Sequence, residues 1–239
     1  MYANTGRQAI LDFFDGSPNE YVCIFTKDAR EALDLVAESY PFSERSSLVL
    51  PTDSSTSLMS IRRYAHSAEA EIVYLDALEQ GGFDECDLRV FRYLDRHRLR
   101  ANHFWQEVIA QRQVRRASHQ SLFALSGESE ATGYRPNLKK LLSFAKAQGF
   151  DTLLDAEALA PTSRISLRDM EGTVDAMAIT FHKMFGYPTG IGALIARRDF
   201  LARLKRLYHL MLQNETRHEA GSSARDDTSL FERFEVRFQ

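Results

Sequence analysis

The sequence predicts an α/β fold, a three-layer sandwich built on a mostly parallel seven-stranded sheet. Two observations predict it. Short, mainly apolar runs of β-forming residues read as internal strands. These runs alternate with longer segments whose apolar residues recur at helical spacing, which is the grammar of βαβ units.

The first strand is "YVCIFT" (21–26), and in the following "DAREALDLVAESY" (28–40) Ala29, Ala32, Leu33 and Val36 fall on one helical face. "SLVLP" (47–51), a helical "SLMSIRRYAHSA" (57–68) and "EIVYL" (71–75) continue the alternation. It resumes at "SLFALS" (121–126). In "RPNLKKLLSFAKAQG", Pro136 is expected to open a helix with Leu138, Leu141, Leu142 and Ala145 as its stripe, and Gly149 to end it. "DTLLDA" (151–156), "AMAITF" (176–181) and "GALIA" (192–196) complete the strands, and "RDFLARLKRLYHLML" (198–212) supplies a further helix.

Two stretches break the rhythm. Residues 84–119 are polar and helical in tendency, with eight arginines between Arg89 and Arg116. They read either as a basic binding surface or, the weightier reading, as a solvated helical excursion over Phe91, Leu94, Phe104, Trp105 and Ile109. Residues 211–239 are polar and read as a loosely ordered tail, which leaves 1–210 as one domain.

At 239 residues, the chain is long enough for one sizeable core. Its 44% hydrophobic and 26% charged content and net charge of -3 exert no global pull toward nucleic acid or anionic membranes, and neither is expected as a partner. The two cysteines, Cys23 and Cys86, have no ligand spacing around them, which argues against a zinc site or a disulfide scaffold. No apolar stretch reaches the length of a membrane span and no secretory layout opens the chain, so a cytoplasmic setting is the expectation.

Reactive groups in such sheets gather where strands end and helices begin. Asp155 closes the apolar "TLLD", and a buried carboxylate there needs a partner; a protonated ring nitrogen would serve, as would the role of a cap or turn residue for "AEALAPTS". Lys183 stands three residues beyond "AIT". It is either an ordinary surface charge or an amine whose pKa falls in apolar surroundings and which becomes nucleophilic; the neighbouring "GYPTGIG" announces a tight turn against which something packs. In "FTKDAREAL" a strand ends at Thr26 and a helix begins, with free N–H groups suited to a phosphate, although Asp28 as a plain N-cap explains the same residues. Together, a phosphate cradle, a strand-end aspartate and a strand-end lysine are what pyridoxal 5'-phosphate asks of a protein.

These residues resemble the class V aminotransferase superfamily of fold type I, and most closely its molybdenum cofactor sulfurase-like branch, which shares features with cysteine desulfurases. The resemblance lies in "CIFTKDAREALDLVAESYPF", "LLDAEALAPTS" and "ITFHKMFGYPTGIGALIAR". It implies that Lys183 forms the internal aldimine, that Asp155 pairs with the pyridinium nitrogen, and that Thr180 and His182 lie near the phosphate. Ala29 and Arg30 would offer it backbone contacts. It further implies an amino-acid substrate, cysteine by analogy, and a homodimer.

The same comparison marks departures. Ser55 stands where relatives carry a ring-stacking histidine, and Glu130 where they carry an asparagine that donates to the cofactor's phenolate oxygen; an ionised glutamate only accepts. On this resemblance the chain is expected to be short at both ends, without the leading segment, the smaller C-terminal domain, the substrate-carboxylate arginine or the persulfide-bearing cysteine of relatives. The expectation is therefore a large domain that either works as a transferase or serves as a catalytically impaired binding or scaffold member.

Overall fold

Seven strands form one sheet in the order β1-β7-β6-β5-β4-β2-β3. They are β1 (Tyr21–Thr26), β2 (Ser47–Pro51), β3 (Glu71–Leu75), β4 (Leu122–Ser126), β5 (Asp151–Asp155), β6 (Ala176–Thr180) and β7 (Gly192–Arg197). The protein's structure, a computed structural model, describes residues 2–75, 120–186 and 190–204. The arginine-rich stretch, Cys86 and the polar tail lie outside the described residues.

β7 runs antiparallel to both its neighbours, β1 and β6, and all other pairings are parallel. The carboxyl ends of β1, β2, β4, β5 and β6 therefore share one edge of the sheet. Every residue of β4, β5 and β6 is buried; β4 and β6 are apolar up to a terminal Ser126 and Thr180, while β5 also buries Asp151, Thr152 and Asp155, each held by hydrogen bonds.

The helices α1 (Tyr2–Phe13), α2 (Ala29–Ser39), α3 (Thr56–Ser60), α4 (Arg62–Ser67), α5 (Leu138–Ala147), α6 (Phe181–Phe185) and α7 (Arg198–Arg203) complete the described chain. Strand residues alternate between two cores. Cys23, Phe123, Leu154, Met177 and Ile195 pack with Leu11 of α1 and Leu141 and Leu142 of α5. Ile24, Leu122, Leu153, Leu194 and Ala196 pack with Ala32, Leu33 and Val36 of α2 and Phe200 of α7. The parity of each strand thus produces the three layers.

Several elements differ from expectation. The helix expected over 57–68 is two short turns that meet at Ile61, because Ser55 caps the first and Ile61 serves as C-cap of one and N-cap of the next. Pro136 precedes α5 and does not open it; the N-cap is Asn137, whose side chain accepts from the Lys140 N–H. Gly149 follows the C-cap at φ 88°, the left-handed conformation expected of a helix-ending glycine. The strand expected to run through Phe181 stops at Thr180, where α6 begins. The N-terminal helix α1 was not expected, and β1 lies at the far edge from β2 and β3, so α2 crosses beneath β6 and β7.

Candidate functional site

The site residues lie along the shared carboxyl edge, and β7 aligns two of them. Gly192 opens β7 and pairs with Thr26 of β1 on one side and Thr180 of β6 on the other. A Cβ at Gly192 would fall 2.6 Å from the Asp28 carbonyl carbon and 2.7 Å from Ile179 O. The backbone that leads into α2 therefore passes directly over this glycine, and only a hydrogen fits. The close approach is at Gly192, the last glycine of that run, and it seats the α2 N-terminus beside the end of β6.

At that N-terminus Asp28 is a true N-cap. Its carboxylate accepts from the Glu31 N–H at 2.8 Å, its carbonyl accepts from the Thr26 hydroxyl at 2.8 Å, and Glu31 in turn accepts from the Lys27 N–H. The N–H groups of Ala29 and Arg30 make no hydrogen bond among the described residues, so two donors remain at the positive end of an 11-residue helix. The plain-cap reading and the anion-cradle reading of this turn are thus compatible.

Asp155 ends β5 between Ser126 of β4 and Ala178 of β6. It is 4% exposed. Oδ2 accepts from the Ser55 hydroxyl at 2.6 Å and Oδ1 from the Glu157 N–H at 3.0 Å. Burial pushes its carboxyl up to about 6, against the opposing pull of these two donors; the nearby Glu157 and Glu130 charges add to the rise. Ser55 is itself fixed: its Oγ accepts from the Leu58 N–H at 3.0 Å as the cap of α3, and its own N–H donates to Ser126 Oγ at 3.2 Å. Ser55 thus serves the aspartate directly.

Thr180 is buried at the end of β6, and its Oγ1 lies 2.8 Å from Nδ1 of His182 in the first turn of α6. Lys183 follows on the same turn. Its setting overturns one expectation: the side chain is 36% exposed, and Nζ forms ion pairs with Glu157 Oε1 at 3.1 Å and Glu130 Oε1 at 3.3 Å. Partial burial would lower its pKa, but the hydrogen bonds and charges of Glu157 and Glu130 outweigh that and leave it raised above the ordinary lysine value. Glu157 was missed in the sequence; its only signal was a second carboxylate two places after the strand-end aspartate.

The donor set fits pyridoxal 5'-phosphate. A buried carboxyl whose two present partners are neutral donors can still accept from a ring N–H, since each carboxylate oxygen has more than one acceptor site. The unpartnered N–H groups at α2, with Thr180 and His182 beside them, suit a phosphate. An amine is present at the same edge. Among the described residues no group of side chains could hold a metal ion, and no helix is long and apolar enough to cross a membrane.

Comparison with known proteins gives a consistent family. The tomato (Solanum lycopersicum) molybdenum cofactor sulfurase is 32% identical over 215 residues, covering 84% of this chain and 26% of the relative. Its Arabidopsis thaliana counterpart is 30% identical over the same length, again covering 84% and 26%. The chain thus spans about a quarter of the curated relatives it matches. Among solved structures, the apo cysteine desulfurase of Thermococcus onnurineus NA1 superposes with a TM-score of 0.65 at 22% identity, covering 84% of this chain and 44% of that one, which speaks for the fold. The aminotransferase class-V family model matches residues 97–232, more than half of the sequence, and the chain belongs to the class V aminotransferase family.

Proposed function

We propose that this chain is the cofactor-binding large domain of a pyridoxal-phosphate-dependent protein of the molybdenum cofactor sulfurase or cysteine desulfurase type, with Lys183 as the cofactor-attachment lysine. The observation that carries this reading is the convergence on one sheet edge of the α2 N-terminus, Asp155, Thr180, His182 and Lys183, aligned by Gly192 between β1 and β6. An amino acid, cysteine by analogy with the named relatives, is the substrate in this reading, and the working form is a homodimer.

Bound pyridoxal phosphate would supply an aldehyde for an amine and a ring that accepts electrons from the substrate's α-carbon. The chain's own residues have separate tasks. The Ala29 and Arg30 N–H groups, with Thr180 and His182, would hold the phosphate. Asp155 would accept from the ring N–H; a cation there would offset the burial that now raises its carboxyl to about 6. Lys183, once free of Glu157 and Glu130, would take or return a proton at the substrate's α-carbon.

A visible absorption band of lysine-bound cofactor in the purified protein, and a borohydride-trapped adduct located on Lys183, test this. The band is expected to vanish in Lys183→Ala; a variant with an unchanged spectrum would overturn the assignment. One observation favours a second reading: Lys183 is held between two carboxylates, which suits a member that keeps the fold, binds a partner and turns nothing over. Release of alanine or sulfide from cysteine by the isolated chain would exclude it.

A further inference from the structure

Two carboxylates reach Lys183 from two different strand-end loops. Glu157 projects from the turn that follows β5, and Glu130 from the loop that follows β4; neither lies on the helix that carries the lysine. Glu157 also donates its N–H to Asp155, so the lysine is tied through one residue to the buried carboxyl beside it. On its own helix the neighbouring His182 is engaged with Thr180. The two ionisable groups in contact with the amine, Glu157 and Glu130, are thus both acidic, while Asp155 is linked to it only through Glu157 and His182 is its neighbour in sequence.

We propose that Glu157 and Glu130 are positioning residues that hold Lys183 Nζ as an ammonium and thereby set the pH at which this amine becomes a nucleophile. The role assigned to Lys183 under Proposed function gives the clamp its purpose, but the clamp itself is a property of the chain. An ammonium has no lone pair. Before it can attack any electrophile the proton must pass to solvent or to one of the carboxylates, and a pair at 3.1 and 3.3 Å stabilises the charged form against that loss. The raised pKa of the lysine agrees with this geometry.

The clamp also gives a physical account of Glu130. A carboxylate opposite a cofactor oxygen would repel it, whereas a carboxylate turned toward the lysine is satisfied. Because the Glu130 side chain is 43% exposed and that of Glu157 only 16%, Glu157 is screened less by solvent and carries the larger share of the effect.

The test reads the amine without any cofactor. The full chain is treated with hydroxylamine so that the Lys183 amine is free, then trace-labelled with acetic anhydride over a pH series through the lysine range. The nitrogen attacks the acyl carbon, the N–C bond forms, acetate leaves and the proton goes to solvent. Mass spectrometry gives the labelling rate at Lys183, with exposed Lys139, paired to Glu171, as internal reference.

In Glu157→Gln the Lys183 midpoint is expected to move to lower pH, with labelling near neutral pH roughly three- to tenfold faster, and further in the Glu130→Gln/Glu157→Gln double variant. Glu157→Asp, which keeps the charge, should fall between. In the wild-type chain, which needs no substitution to fold, raising the salt should shift the midpoint the same way. A Lys183 profile that is unchanged in both glutamine variants and insensitive to salt would overturn the proposal. Failure of cofactor trapping on Lys183 would leave this profile as it is, so the two readings fail separately.

Discussion

The Ser55 hydroxyl donates to Asp155 Oδ2 at 2.6 Å, across 100 positions of sequence, and joins the first turn of α3 to the buried end of β5. One side chain thus caps a helix and solvates a carboxyl that has left water. Removing it exposes both tasks. Ser55→Ala is expected to cost about 1–2 kcal/mol near neutral pH, measured by urea denaturation. In an Asp155→Asn background the cost should fall toward that of the cap alone, because the charged partner is gone.

Asp155 makes the stability of the cofactor-free chain fall as pH rises. Its folded value of about 6 lies above the 3.8 of an unfolded aspartate, so the folded state holds the proton more tightly. Stability from this group is present below the unfolded value, is lost as pH climbs through about 6, and stays lost above it. The two values imply a cost of about 3 kcal/mol for ionised Asp155. Asp155→Asn should recover roughly 1–2 kcal/mol of this at neutral pH and little in mild acid; urea titrations at both pH values would read it.

Gly192→Ala should cost about 3 kcal/mol, because its Cβ meets backbone atoms of Asp28 and Ile179 that cannot move aside without parting β7 from α2. Gly133, at φ 69° with open space around it, provides the contrast: alanine there meets only backbone strain, about 1 kcal/mol. Chemical denaturation of the two variants side by side tests the ranking.

Lys146→Ala should destabilise by about 2–4 kcal/mol at neutral pH, since Asp175 is buried and Lys146 Nζ sits 2.7 and 2.9 Å from its two oxygens. The net upward push on the Asp175 carboxyl, from burial, would grow once the ammonium is removed. The cost should therefore shrink on acidification, as the stranded carboxyl takes up a proton. A pH-independent loss would show that Lys146 acts through its packing.

How much of this was legible in the sequence follows the range of the forces involved. The bounds of β1, β2 and β3 are legible to the residue, because each is a short run dominated by apolar side chains whose polar residues, Thr26, Ser47 and Glu71, stand only at its ends. The α2 stripe and the Gly149 stop were legible for the same local reason. α1 was not: its sequence carries Asn4, Thr5 and Gly6, and its place comes from packing that local propensity does not encode, Leu11 in the core and the Arg7 guanidinium over the Phe25 ring.

At the site, the sequence by itself determined which residue types stand at or within a residue of the strand ends: Thr26, Asp155, Thr180, and Lys183 just beyond. Chain-local periodicity sets where a strand stops, and that is enough to list candidates. Tertiary structure alone decided their partners. The strand order placed Gly192 between Thr26 and Thr180, brought Ser55 to Asp155, and turned Glu130 and Glu157 onto Lys183, so that the lysine carries a raised pKa and not the lowered one its apolar neighbours suggested. Charges act through space over a few ångströms, and no spacing along the chain encodes which loop ends will meet there.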